Sequence, residues 1–376
     1  ADEPPVNGSF AAQRELAAYL SGQQAFTMEA NPRCLVSEME VAIVGGGNFG
    51  TAIANIIARN GHTTRLWMRD PEQVLQIVQA GENLRYLPGH PLEPGVLPTA
   101  DLRQATQSAS LIFVAVPSAG FASVCREMAA FLQPEDVLIS ATKGIEPDGF
   151  RLMSQLLSDL TPSQHVGAIS GPNLAEEIAE QQYAGTVIAT HHQADALLVQ
   201  EVMRNDTLRV YPSADVYGVE LGGALKNIYA IVCGLAAGLE VGQNTIGLLV
   251  TRALAEMSRF AVSMGGNPFT FLGLAGVGDL LVTCTSPLSR NHQLGTCIAK
   301  GMSLDEAADS LGKLAEGVNT LRLVHAKSRE LDIYMPLVDG LYSILFEQRS
   351  ITEVISALMG NSEGVDVEFV DPSRWQ

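Results

Sequence analysis

The chain has 376 residues, 47% hydrophobic and 17% charged, which is long enough for two domains with cores of their own. That composition excludes a disordered or coiled-coil protein. A formal net charge of −18 argues against non-specific nucleic-acid binding, so any phosphorylated ligand would need local cations. The cysteines Cys34, Cys125, Cys233, Cys284 and Cys297 are odd in number and lack a C-x-x-C spacing, which fits free thiols in a reducing compartment. The histidines show no metal-ligand spacing, and the adjacent His191 and His192 would point apart on any regular element. No metal is therefore expected. The longest apolar stretch, residues 228–239, is too short to span a bilayer and contains two glycines.

Residues 1–38 read as an extension outside the core fold. An amphipathic helix is expected over 10–20, stopped by Ser21 and Gly22. No apolar signal core is present, and Asp2, Glu3 and Glu15 argue against a typical transit peptide. The first strand follows at Val41 to Val44, a short apolar run suited to a parallel strand buried on both faces. Gly45, Gly47 and Gly50 then give the spacing G-x-G-x-x-G, and residues 51–59 read as a helix with Ile53, Ile56 and Ile57 on one face. Strand, glycine turn and helix in this order form a dinucleotide-binding fingerprint. In it Gly45 permits the tight turn, Gly47 lets the backbone approach a diphosphate, and Gly50 lets helix pack on strand. A second strand over 64–67 runs into Arg69 and Asp70, about 20 residues past the glycines, where the ribose-reading residue belongs. Asp70 suits the ribose hydroxyls of NAD and Arg69 the 2′-phosphate of NADP. Having both favours NADP(H), with NAD(H) tolerated; the plain alternative is that Arg69 is a solvated loop charge.

Further strands are expected at 111–116, 137–141 and 165–169, each ending in polar or small residues at its carboxyl end. In open α/β sheets that edge is where ligands bind, and Lys143 stands there directly after a buried strand. The alternation over 39–220 marks a Rossmann-type doubly wound α/β domain. From 221 to 360 the pattern is all-helical, with helices expected at 221–239, 244–264, 287–300, 304–311, 316–330, 336–347 and 351–359. Residues 361–376 form an acidic tail.

Three groups in the helical half carry chemistry. Lys226 sits in a small-residue and apolar stretch, and such surroundings lower an ammonium's pKa towards the range useful for acid–base work. Its alternative is a helix lysine whose stem reaches water. Asp279, between glycines and an apolar run, can hold that lysine by a charge-assisted hydrogen bond, or else cap a helix from Leu280 onward. Ser289, Arg290 and Asn291 group a hydroxyl, a guanidinium and an amide, a set matched to phosphate oxygens.

In order and spacing these segments resemble the soluble, bacterial and plastid type of NAD(P)-dependent sn-glycerol-3-phosphate dehydrogenases. The resemblance covers roughly residues 39–360. It rests on Gly-Gly-Gly-Asn-Phe-Gly (45–50), Arg-Tyr-Leu-Pro-Gly (85–89), Ala-Thr-Lys-Gly-Ile-Glu (141–146), Ile-Ser-Gly-Pro-Asn (169–173) and Gly-Val-Glu-Leu-Gly-Gly-Ala-Leu-Lys-Asn (218–227). It extends through Thr-Arg-Ala-Leu-Ala-Glu-Met (251–257), Gly-Val-Gly-Asp-Leu (276–280), Thr-Cys-Thr-Ser (283–286), Ser-Arg-Asn (289–291) and Ala-Glu-Gly (315–317).

The resemblance implies a Rossmann domain joined to an all-α domain of the 6-phosphogluconate dehydrogenase-like kind, and a homodimer. It implies reversible NAD(P)H-dependent reduction of dihydroxyacetone phosphate to sn-glycerol 3-phosphate, the backbone of glycerophospholipids. Lys226 would be the general acid/base, Asp279 would orient it, and Lys143 would contact substrate and cofactor. Gly171 and Asn173 would line the substrate pocket, although Asn173 stands where a small hydroxyl residue is common. Ser289, Arg290 and Asn291 would grip the phosphate. Gly45, Gly47, Asn48, Phe49, Gly50, Arg69, Lys143, Ala175, Arg290, Leu314 and Glu316 fall where the family contacts the dinucleotide. The compartment implied is the cytoplasm, or a plastid-type organelle if the extension is the remnant of a leader. The rival readings are a related hydroxyacid dehydrogenase on an unphosphorylated substrate, a non-catalytic NADP(H)-sensing protein, and a methyltransferase with a glycine-rich cofactor loop.

Overall fold

The computed structural model describes residues 38–147, 149–312 and 315–360. The helix expected over 10–20, the acidic tail and Leu314 lie outside the described residues.

Eight strands form one sheet: β1 (Glu40–Val44), β2 (Thr63–Trp67), β3 (Val96–Thr99), β4 (Leu111–Val114), β5 (Val137–Ser140), β6 (His165–Ser170), β7 (Ala184–Thr190) and β8 (Leu208–Ser213). Their order is β3-β2-β1-β4-β5-β6-β7-β8. The order reverses between β1 and β4, and a crevice opens outside the carboxyl ends of the strands at such a reversal. β1, β4 and β5 are almost wholly buried and mostly apolar because helices cover both faces of the sheet.

β3, β7 and β8 were not legible as strands. β3 carries Pro98 and buries only Val96, the profile of an edge strand. β7 pairs antiparallel with β6, unlike every other neighbouring pair in the sheet. The connection explains it: the helix between them, Ala175–Ala179, is five residues long. At 1.5 Å per residue it spans roughly 8 Å, too little to carry the chain back along a strand of about 20 Å.

The second half is built around one helix, Val216–Gly238, 23 residues long. It begins five residues before the expected position because Asp215 caps it, accepting a hydrogen bond from the Gly218 N–H at 2.9 Å. By length and composition this helix could cross a bilayer, a property that the shorter run 228–239 concealed. However, 83% of its most apolar window is buried inside the protein. Helices Gln243–Ser263, Asp279–Thr285, Arg290–Ala299 and Glu316–Glu330 pack around it. Its small residues make this possible. A Cβ on Gly234 would lie 2.1 Å from the His292 carbonyl oxygen. Each helical glycine costs up to about 1 kcal/mol of propensity, which the close packing offsets.

Two buried carboxylates tie distant elements together. Glu220 accepts from the Ser154 N–H at 3.0 Å and from the Ser154 hydroxyl, at the start of helix Met153–Leu160. Burial pushes its pKa up to about 7. Glu256 accepts from the Leu337 N–H at 2.6 Å and the Tyr229 hydroxyl at 3.2 Å, and burial pushes it up to about 8. Both satisfy N–H groups that a helix terminus leaves without partners.

At the first glycine loop a Cβ on Gly50 would lie 1.9 Å from the Gly45 carbonyl oxygen. Gly50→Ala is therefore expected to destabilise the fold by about 1–3 kcal/mol, read as a lower melting temperature. An unchanged melting curve would show that the helix and loop can separate freely.

Candidate active site

The glycine loop connects β1 to helix Asn48–Arg59. Gly45 has φ +129°, and a Cβ there would meet the Ala115 carbonyl oxygen at 2.5 Å. Above Gly47 the space is open, with nothing within 4 Å of where a Cβ would stand. Gly47 caps the helix without a side chain, so its first-turn N–H groups face a ligand position and its dipole favours an anion there. The Phe49 N–H is taken by the Asn48 side chain at 2.8 Å. From behind, Gln73 and Asn83 donate to the Gly46 carbonyl at 3.2 and 3.0 Å and hold the loop in shape. Neither supporting residue was found in the sequence, because both act across about 27–37 positions of chain. The open cradle with its N–H groups fits a dinucleotide diphosphate.

Arg69 is exposed just past the end of β2. Asp70 spends one carboxylate oxygen capping helix Pro71–Ala80, accepting from the Glu72 N–H at 3.0 Å. A local capping role thus accounts for Asp70 at this position.

Four separate stretches meet at the ligand edge of the sheet. Lys143 follows β5 and donates to the Gly171 carbonyl at 3.0 Å and to Asp279 Oδ2 at 2.6 Å. Gly171 follows β6 with φ +140°, a conformation that turns its carbonyl towards this lysine. Lys226, from the central helix, donates to Asp279 Oδ1 and to Thr283 Oγ1, the latter at 2.7 Å. The Thr283 hydroxyl donates in turn to the Asp279 carbonyl at 2.6 Å. Asp279 therefore receives an ammonium on each carboxylate oxygen while its side chain is only 1% exposed. Its carboxylate is used on lysines and caps no helix. A π-helical turn, Leu274–Gly278, precedes it and aims the residue inward.

The electrostatics follow from burial. Desolvation disfavours the ammonium of Lys226, the neighbouring Lys143 charge adds to this, and Asp279 opposes it; the balance lowers Lys226 to about 7. Burial pushes the Asp279 carboxyl upward, yet Lys143 and Lys226 outweigh it jointly and hold it below the usual aspartate value.

The remaining expected residues make contacts of their own. Ser289 is buried and caps helix Arg290–Ala299, accepting from the His292 N–H at 3.3 Å. Arg290 is exposed on the next position. Asn291 donates to Asn227 Oδ1 at 3.0 Å and accepts from the Gly317 N–H at 3.0 Å, so it links the residue after Lys226 to the residue after Glu316. Asn173 donates to Thr186 Oγ1 at 3.1 Å. Its Oδ1 and the Ser170 hydroxyl are buried without a partner among the described residues. Ala175 is buried at the start of its short helix. Contacts thus join Lys143, Gly171, Lys226 and Asp279 directly, and Asn291 through Asn227. Among the described residues, no such contact joins Ser289 or Arg290 to the lysines. Thr283, Asn227 and Ser170 were missed. For Thr283 the signal was present, since it stands four residues after Asp279 on one helix face.

Comparison with known proteins agrees with this arrangement. A family model described as NAD-dependent glycerol-3-phosphate dehydrogenase N-terminus matches residues 40–196, and the corresponding C-terminus model matches 215–356. The glycerol-3-phosphate dehydrogenase (NAD(P)+) of Ectopseudomonas mendocina is 53% identical over 330 residues, covering 88% of this chain and 97% of that protein. That of Azotobacter vinelandii is 52% identical over 339 residues, covering 90% and 99%. A crystal structure of glycerol-3-phosphate dehydrogenase from Coxiella burnetii superposes with a TM-score of 0.82 at 33% identity, covering 86% of this chain and 99% of that one. Rossmann sheet, helical second half and these matches define a nicotinamide-dependent oxidoreductase. The chain belongs to the NAD(P)-dependent glycerol-3-phosphate dehydrogenase family.

Asp279→Asn should leave two ammonium groups facing an amide. The expected loss is about 3–5 kcal/mol of stability, or deprotonation of Lys226, with turnover falling in either case. Thermal melting and steady-state kinetics on the same preparation check this; a variant with both unchanged would remove Asp279 from its central place.

Proposed function

We propose that the chain catalyses the reversible reduction of dihydroxyacetone phosphate to sn-glycerol 3-phosphate, taking NADP(H) in preference and NAD(H) as a second choice. The observation that carries this reading is Lys226, a buried lysine whose ammonium is disfavoured by desolvation, paired with Asp279 at the carboxyl edge of a dinucleotide-type sheet. The names of the relatives supply the substrate class.

When bound, the reduced nicotinamide supplies the hydride. The chain supplies the rest. Lys226 donates a proton to the carbonyl oxygen during reduction and takes it from the hydroxyl in reverse; a group titrating near neutrality does both. Lys143 adds a fixed positive charge beside the oxygen as its charge develops, with no reorganisation needed at that moment. Asp279 and Thr283 hold the lysines in place. Gly171 and Asn173 line the pocket, where the unpartnered Ser170 hydroxyl and Asn173 Oδ1 await polar partners. Ser289, Arg290 and Asn291 take the phosphate, Arg290 by its guanidinium fork. Gly45, Gly47, Asn48, Phe49, Gly50, Arg69, Ala175, Leu314 and Glu316, with Lys143 and Arg290, hold the dinucleotide.

This reading includes a homodimer, supported by the family resemblance, and a cytoplasmic location, supported by the free thiols Cys125, Cys233, Cys284 and Cys297. An unphosphorylated substrate would give the Arg290 guanidinium no phosphate oxygens to bind.

The direct assay is loss of reduced-nicotinamide absorbance with dihydroxyacetone phosphate; absence of loss with both NADPH and NADH would reject the reading. Lys226→Ala should lower turnover by about 10²–10⁴-fold with NADPH binding intact by fluorescence titration. Reduction needs the Lys226 ammonium, so its rate should fall as pH rises through about 7, while glycerol 3-phosphate oxidation should rise over the same window. Parallel pH profiles in the two directions would argue against Lys226 as the proton carrier. Arg69→Ala should raise the KM for NADPH far more than that for NADH, and equal rises would reject Arg69 as the reader of the 2′-phosphate.

A further inference from the structure

We propose that His165, His192 and Asp195 form a binding site for a divalent transition metal of the zinc class, at the end of the sheet remote from the lysine centre. His165 opens β6, whereas Gly171, at the lysine centre, follows the carboxyl end of the same strand. Six residues of extended chain separate the two by roughly 20 Å. The site is therefore independent of the catalytic reading.

The antiparallel join of β6 and β7 assembles it. Because β7 runs opposite to β6, the residues that follow Thr190 return beside His165. His192 is there, at the start of helix Gln193–Met203, and Asp195 is in that helix's first turn. The three side chains each place a ligand atom within 4.8 Å of the other two. His165 Nδ1 lies 3.1 and 3.0 Å from the two oxygens of Asp195. Ligand atoms 3.0 Å apart, each about 2.05 Å from a zinc ion, subtend roughly 95° at the metal, within the range of a four- or five-coordinate site.

The surroundings suit a cation. Asp195 is 5% exposed, so its carboxylate is poorly solvated, and among the described residues its side-chain partner is the His165 ring. The His192 ring lies tilted by 40° to that of His165, with centroids 4.7 Å apart, and it caps no helix N–H. Its backbone is held by Thr190 Oγ1, which accepts from the His192 N–H at 3.3 Å. Its exposed side chain is free to rotate the remaining distance onto a metal. His192 also lines a hollow of about 310 Å³, which has room for water as a further ligand. Arg151 lines the same hollow, but its charge is compensated by Glu146 and Asp159 at 2.6 and 3.0 Å. Two imidazoles and one carboxylate select zinc, nickel or copper over calcium or magnesium, which require oxygen ligands throughout. Such an ion would clip the start of β6 to the helix after β7 and stabilise the native state by mass action.

The test uses the full chain, stripped with a chelator and titrated with Zn²⁺ by calorimetry, with Co²⁺ as a spectroscopic probe. One ion per chain is expected, with a rise in melting temperature of roughly 2–4 °C at saturating metal that the chelator reverses. Bound Co²⁺ should show visible d–d bands without a thiolate charge-transfer band. His192→Ala should weaken Zn²⁺ at least tenfold, as should Asp195→Asn, and His192→Ala should keep the reductase rate of the parent chain. His191→Ala should bind like the parent. No binding, a thiolate band, unaltered affinity in His192→Ala, or equal losses in His191→Ala and His192→Ala would each overturn the proposal. The first would leave His165 and Asp195 as an ordinary hydrogen-bonded pair, and the last would indicate loose adsorption on a surface histidine pair.

Discussion

The site depends on one buried carboxylate held between two ammonium groups. Asp279 is almost wholly out of water, and an isolated charge in that position would cost far more than any single hydrogen bond returns. Lys143 on one oxygen and Lys226 on the other make it tolerable. The group carries one net positive charge when all three are ionised, and burial relieves it by lowering the pKa of Lys226, the more deeply buried lysine. The same desolvation that threatens the fold therefore tunes the group for proton transfer near neutrality.

Everything around the cluster serves to bring its members together. Lys143 and Gly171 come from the ends of adjacent parallel strands, and Lys226 from a helix that enters beneath them. Gly223 on that helix passes so close that a Cβ would stand 2.5 Å from the Ser170 hydroxyl and 3.4 Å from the Lys143 side chain. Glu220, on the same helix, grips Ser154 at the head of a helix that covers the sheet. The sheet half and the helical half are thus joined by the Glu220–Ser154 anchor and by the Lys143–Asp279 pair, the latter holding the carboxylate to which Lys226 donates.

Much of this was legible one residue at a time. β1, the glycine loop, the helix after it, β4, β5 and β6 are local patterns, as are the helices over 316–330 and 336–346. The segments that escaped notice depend on neighbours: β3 is a proline-bearing edge strand, and β7 and β8 end the sheet beyond a reversal of direction. Lys143, Lys226 and Asp279 stood out because charge amid apolar and small residues is unusual. Thr283, Asn227, Gln73 and Asn83 did not, since their hydroxyls and amides look ordinary until their partners are known. Asp70 has a position that suggests a ligand contact, and one of its carboxylate oxygens also caps a helix.

The amino-acid sequence by itself determined the class of fold, the order of its two halves, the diphosphate-type loop and the identity of the charged residues at the ligand edge. These follow from periodicity, glycine spacing and the mismatch between charge and apolar context, all of which are local. Only the tertiary structure decided which charges touch. Lys143 and Asp279 are 136 residues apart, and Lys226 and Asp279 are 53 apart. It also decided that His165, His192 and Asp195 share a corner, because the short helix after β6 leaves no length for a return crossover. Contacts between distant segments depend on strand direction and helix packing, and these are settled by the burial of the whole chain at once.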